Sequence, residues 1–172
     1  MEKCPYWTDT DLSQVLVARS FKRVGEIALA VLGRFPIDAH GHIAQVCGPI
    51  TTGGFGIAAN RQIFRRAVQL LRATDVLVFD QMPLEAAIVR LREDWMASPG
   101  NHGRYCTPIL EEIYYPLFAS GLIGKLDFLP ESESSTGSRW EMQQGTNLGM
   151  IVEKYPEHLY RQIVRELGLL AV

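Results

Sequence analysis

Cysteine is scarce: Cys4, Cys47 and Cys106 are the only three in 172 residues. An odd number of widely separated thiols argues against a disulfide framework and suits a reducing compartment, so a cytoplasmic location is expected. No apolar run approaches the roughly 20 residues that span a bilayer. The opening MEKCPYWTD lacks the basic start and apolar core of a secretory leader, so a soluble protein without a membrane partner is expected. Basic excess is missing as well: 17 Lys and Arg stand against 19 Asp and Glu, for a net charge of −2. A domain that grips a nucleic acid backbone normally carries a positive surplus, so the expected partner is a small molecule and not a nucleic acid polymer. Also missing are C-x-x-C, H-E-x-x-H, G-K-[ST] and G-x-S-x-G, the signatures of zinc, P-loop and serine-hydrolase chemistry. His40 and His42 near Cys47, and His102 near Cys106, therefore read as loop and core positions, and no bound metal is expected.

What is present is a chain that is 47% hydrophobic and 21% charged, enough to bury a sizeable core. Leu12, Val15 and Leu16 begin an apolar stripe that Val17, Phe21, Val24 and Ala28 continue at helical spacing, predicting one long helix or two ending near Gly33. Short apolar runs at 43–47 (IAQVC), 76–80 (VLVFD) and 126–130 (LDFLP), with GMIVEK as a fourth, predict strands. Between and after them Ile63, Phe64, Ala67, Leu70 and Leu71, then Leu84, Ala87, Ile88, Leu91 and Trp95, and finally Leu159, Ile163 and Leu167, fall on helical faces. Thr107 and Pro108 open a further helix that Pro116 should kink.

Strands alternating with amphipathic helices imply parallel pairing, because parallel neighbours need crossovers and crossovers are usually helices. The expected fold is α/β, a Rossmann-like three-layer sandwich with a mainly parallel sheet of four to five strands. Residues 1–40 form an extra N-terminal helical segment in this reading, and 41–172 the α/β domain. In such sheets ligands bind beyond the carboxyl ends of the strands, so the loops after residues 47, 80 and 130 should converge on one crevice.

Those loops hold the unusual sequences. The first, GPITTGGFG, offers Gly48, Pro49, Thr51, Thr52 and Gly53 ahead of a helix N-terminus, a place that favours an anion. Gly54, Gly56 and Ala59 also satisfy G-x-G-x-x-A, although the first glycine lies too far past the strand for a dinucleotide turn. The second loop places Asp80 and Gln81 at a strand end, suited to a sugar hydroxyl or a base edge, and equally to ending a strand. The third, SSTGSRWE, has two readings. Ser138 and Glu141 stand in the S-x-x-E spacing of a capping box. Alternatively, Ser134, Ser135, Thr136 and Gly137 form an anion nest from which Glu141 projects as a carboxylate able to meet a cationic sugar carbon.

Taken together, GPITTGG, DQMP and IYYPLFASGLIGKLDFLPESESSTGSRWE resemble the nucleoside 2-deoxyribosyltransferase superfamily over residues 43–155. The most specific part is Ser-x-Gly-x-x-x-Glu entering a helix after an apolar strand, matched by Ser135, Gly137 and Glu141. The resemblance implies that Glu141 displaces the nucleobase and forms a glycosyl-enzyme intermediate, with no metal or redox cofactor. It implies that Ser135 holds a 5′-phosphate, that Gly137 allows close approach, and that an acid before the third strand, Glu112 or its neighbour Glu111, orients the substrate. A homo-oligomer is implied too, since active sites in that family are commonly completed by a neighbouring subunit. This chain departs from the family in carrying Cys47-Gly48-Pro49 where an aromatic is often found. The expected function is cleavage or exchange of the N-glycosidic bond of a nucleoside or nucleoside 5′-monophosphate. The alternative is a non-catalytic nucleotide-binding or nucleotide-sensing module. An NAD-dependent oxidoreductase ranks last, for lack of room for a separate substrate domain.

Overall fold

Ile43–Cys47 forms β1, five consecutive residues of which none reaches solvent. In chain order the helices and strands are α1 (Asp9–Val17), α2 (Phe21–Leu32), β1, α3 (Ile57–Arg72), β2 (Val78–Phe79), α4 (Glu85–Ala97), α5 (Tyr115–Ala119), β3 (Ile123–Phe128), α6 (Thr136–Asn147), β4 (Ile151–Lys154) and α7 (Glu157–Glu166). This is a computed structural model, and it describes residues 6–39, 41–50 and 55–169. The expectations placed on Thr51, Thr52, Gly53 and His40 lie outside the described residues. All four strands run parallel in the order β2-β1-β3-β4. The fold is α/β and Rossmann-like. A strand hidden on both faces reads as a continuous apolar run, which is why IAQVC is legible as β1. β2 is shorter than the predicted 76–80, and Asp75 just before it takes a left-handed turn at φ 62°.

The chain divides into two compact units, Met1–His40 with Gln81–Leu122, and Gly41–Asp80 with Ile123–Val172. The first 40 residues thus share their unit with 81–122, while 41–80 join 123–172.

In the first unit the long N-terminal stripe resolves into two helices. Thr8 starts α1 through a reciprocal capping box with Asp11, and Ser20 starts α2 by accepting the Arg23 N–H. Arg34 reaches both carboxylate oxygens of Asp11, at 2.5 and 2.9 Å, and holds that carboxyl well below the usual range. Gly25 lets α2 lie close to the segment Ile109–Tyr114, since a Cβ there would stand 2.2 Å from the Glu112 carbonyl oxygen. That segment is π-helical and returns to α geometry at Tyr115. Pro116, which lacks an N–H, lies in the first turn after this change of winding.

In the second unit α3 carries the chain from β1 to β2, and α6 carries it from β3 to β4 on the other side of β1. Right-handed crossovers leaving in opposite directions place their helices on opposite faces of the sheet, giving three layers. On one face α7 packs against α3. Tyr155, just past β4, donates its hydroxyl to the Ala67 carbonyl of α3 at 2.9 Å. On the other, Gly145 lets α6 lie tight on the sheet, since a Cβ there would stand 2.7 Å from Leu126 Cδ1 and 3.1 Å from Val152 Cγ2. Between Ile43↔Ile123 and Ala44↔Lys125 the register slips by one residue, leaving Gly124 as the extra residue of a bulge. The strand order reverses between β1 and β3, the topological switch point where open sheets of this kind hold ligands.

Candidate functional site

The loops after β1 and β3 begin in contact. The Leu129 N–H donates to the Cys47 carbonyl at 2.8 Å, extending the ladder one residue past β3. Gly48 permits this approach, because a Cβ there would meet Leu129 Cβ at 2.9 Å. Beyond it Pro49, Phe55, Ile63, Leu129, Pro130 and Tyr160 line a shallow open groove.

After Pro130 the chain turns sharply. Glu131 is left-handed at φ 64°, and Ser132–Ser134 makes a single tight helical turn. Ser135, extended at φ −93° and ψ 129°, then caps α6 by accepting the Ser138 N–H at 3.4 Å. The capping box expected from Ser138 and Glu141 is therefore corrected. Ser138 already sits at the third helical position, and Glu141 lies too far along α6 to return to a first-turn N–H. Ser135→Ala should cost about 1 kcal/mol, the usual loss for a cap. Ser138→Ala should be neutral or slightly stabilising, because the buried Ser138 hydroxyl has no hydrogen-bond partner among the described residues. Denaturant melts of the two variants separate these outcomes, and equal losses would contradict this cap assignment.

The buried residues of α6 are Ser138, Glu141 and Gly145. Their spacing of three and then four places them on one face, the face that Gly145 lays against Leu126 and Val152. A helix packed on a sheet normally offers aliphatic side chains there. This one offers a hydroxyl, a carboxyl and a gap.

Cys47, the last residue of β1, shares with Gln45 the face of the sheet on which Leu126 meets α6, and its thiol acts on the Glu141 carboxyl. Burial pushes the Glu141 pKa up to about 8, with the thiol pulling in the other direction. The Cys47 thiol is raised in turn, first by burial and then by Glu141. Two residues back on the same face of β1, Gln45 Nε2 stands 4.0 Å from Cys47 Sγ. The other buried carboxylates among the described residues differ in kind. Asp11 has Arg34 at 2.5 Å, Asp80 has Arg72 at 3.3 Å, and Asp127 has Lys125 at 3.0 Å. Glu141 has a thiol and no ion pair among the described residues. A carboxyl so placed is mainly neutral at pH 7 and ionises as the pH passes about 8.

Of the other residues singled out in the sequence, Gly48 and Pro49 follow Cys47 directly. Ser135 and Gly137 open α6, six and four residues before Glu141. Asp80 belongs to the same unit, at the end of the outer strand β2, where it pairs with Arg72. Gln81, which is buried, and Glu112 belong to the other unit. Glu112 Oε2 accepts the Lys22 N–H at 2.9 Å, at the start of α2. Sequence reasoning missed Cys47 and Gln45 as companions of Glu141. A polar residue inside IAQVC was the available sign of the second.

Among the described residues no helix is long and apolar enough to cross a membrane, and no group of three or more His, Cys, Asp or Glu side chains is placed to hold a metal ion. Comparison with known protein families, curated proteins and solved structures returns no match.

Proposed function

We propose that the protein cleaves or exchanges the N-glycosidic bond of a nucleoside or nucleoside 5′-monophosphate, with Glu141 as nucleophile. The observation that carries this reading is a buried carboxyl without a cation, on a sheet-facing helix surface next to the β1/β3 switch point. The other buried acids among the described residues are paired with Arg or Lys, and this one stands apart from any cation near the end of the sheet where folds of this kind hold ligands.

In the proposed reaction an ionised Glu141 oxygen forms a bond to the anomeric carbon as the bond to the base nitrogen breaks. The electron pair leaves with the base, which takes up a proton. Water or a second base then attacks the same carbon, the sugar–carboxylate bond breaks, and the carboxylate is regenerated. Ser135 and Gly137, at the N-terminus of α6, suit a 5′-phosphate through the positive end of the helix dipole and the close approach that a glycine permits. A soluble homo-oligomer in the cytoplasm, without metal or redox cofactor, completes the reading.

Because attack needs the ionised form, base release should rise with pH through about 8, roughly ten-fold per unit below that value. Incubation with a panel of nucleosides and their 5′-monophosphates, with and without a second free base, followed by chromatography, tests the reading. Free base alone means hydrolysis and a new nucleoside means transfer. Retention of base release by Glu141→Gln would remove Glu141 from the mechanism.

One observation favours the second reading, nucleotide binding without cleavage. A carboxyl that is neutral at pH 7 donates a hydrogen bond to a base edge more readily than it attacks carbon. Saturable binding that weakens above pH 8, with no base released, is the signature of that module.

A further inference from the structure

We propose that Cys47, itself held by Gln45, is a positioning residue for Glu141: the thiol hydrogen of the last β1 residue fixes the carboxyl of α6 at the end of the central strand. The inference rests on the same site as the glycosidase reading and adds a control element to it.

Three features converge on this pair. The first is close packing, since the missing side chain at Gly145 lets α6 descend onto Leu126 and Val152 one turn beyond Glu141. The second is placement: Gln45 Nε2 donates to Cys47 Sγ at 4.0 Å, and both residues, paired with Leu126 and Phe128, stand on the face of the sheet that α6 covers at Gly145. The third is an unfavourable arrangement that stability alone does not explain. Gln45 is fully buried in the central strand, and its Oε1 has no partner among the described residues. A buried acceptor left unpaired is destabilising, and an aliphatic residue would serve the sheet better. Gln45, Cys47 and Glu141 thus form a buried polar line where the fold calls for apolar side chains.

The surroundings of the pair are otherwise sparse. From β1 Glu141 is faced by Cys47. α6 contributes Ser138 on the same buried face. On β3, Leu126 and Phe128 alternate onto that side, and Asp127, on the opposite side of the sheet, acts on Cys47 electrostatically and raises it. The thiol is accordingly the specific group that favours the ionised form of Glu141, against burial, which disfavours it.

The test is a ¹³C NMR titration of the Glu141 carboxyl in the full chain, assigned by its loss in Glu141→Gln. Cys47→Ala should titrate about one unit higher than wild type, because a donor to the carboxylate is gone. Cys47→Ser, with a stronger hydroxyl donor, should titrate at or below wild type, and Gln45→Met should move upward by less than Cys47→Ala. Base release should follow, falling about ten-fold in Cys47→Ala at pH 7 and recovering at higher pH. The infrared S–H stretch of Cys47 should shift in Glu141→Gln, which reads the same contact should Cys47→Ala fail to fold. Unchanged Glu141 titration in Cys47→Ala, or an unshifted S–H band, would overturn the proposal. Absence of base release from wild type would defeat the glycosidase reading alone, leaving the titration to decide the role of Cys47.

Discussion

Glu141→Gln should melt higher than wild type at pH 8, by on the order of 5 °C, while losing base release entirely. In the folded chain the carboxyl has a pKa of about 8, against 4.5 when exposed. The native state therefore keeps a proton that the unfolded state releases between those values. Stability from this group is intact below pH 4.5 and declines as the pH rises toward 8, at about 1.4 kcal/mol per unit. The glutamine stays neutral throughout and escapes that decline, although its buried amide needs partners of its own, which holds the net gain to a few kcal/mol. For a chain of 172 residues each kcal/mol is about 2–4 °C. Thermal melts of both proteins at pH 5 and pH 8 check the sign: the difference should nearly vanish at the lower pH. A difference equal at both pH values would mean that Glu141 does not titrate as its burial demands.

Gly124→Ala should be among the most damaging single-methyl changes in the chain. The added Cβ would lie 1.6 Å from the Gly41 carbonyl oxygen and 2.3 Å from its carbon. Both are backbone atoms, so no rotamer relieves the overlap and the Ile43↔Ile123 pair must separate. A loss above about 4 kcal/mol is expected, in the range reserved for severe overpacking. Gly121→Ala provides the contrast. Its Cβ meets nothing within 4 Å, and only the φ of 72° is strained, so about 1 kcal/mol is expected. Chemical denaturation of both variants tests the distinction, and a Gly124→Ala midpoint close to wild type would show that the bulge can shift at little cost.

The parts of the fold that are local and periodic were legible in the sequence. IAQVC announces a strand because it is short, apolar except at Gln45 and flanked by glycines, and the stripe from Ile63 to Leu71 announces a helix because its apolar residues recur at helical spacing. The start of α6 was not legible. Ser132, Ser134, Ser135 and Ser138 are equivalent as cap candidates on paper, and only the left-handed turn at Glu131 and the tight turn after it decide that Ser135 takes the position. Glu141 was legible as a candidate, although its spacing to Ser138 pointed to a cap. Its thiol partner was beyond reach, because joining residue 47 to residue 141 requires the parallel register of β1 on β3 and the crossover side of α6. Asp80 shows a similar limit: nothing in a strand-end acid announces that Arg72, at the end of α3, pairs with it.

The way the chain passes between its two units also shapes its synthesis. β1 and β2 are complete when residue 79 has been made, yet β3, which lies on the other side of β1, ends only at Phe128. At translation rates of roughly 5–20 residues per second, one flank of β1 waits on the order of several seconds for its neighbour. Throughout that interval β1, a strand buried along its whole length in the finished fold, presents an unpaired edge, the kind of surface that recruits other chains. The nascent polypeptide is thus most in need of chaperone cover between the emergence of Cys47 and that of Phe128, and slowing elongation across that stretch should lower the yield of folded protein more than slowing it elsewhere.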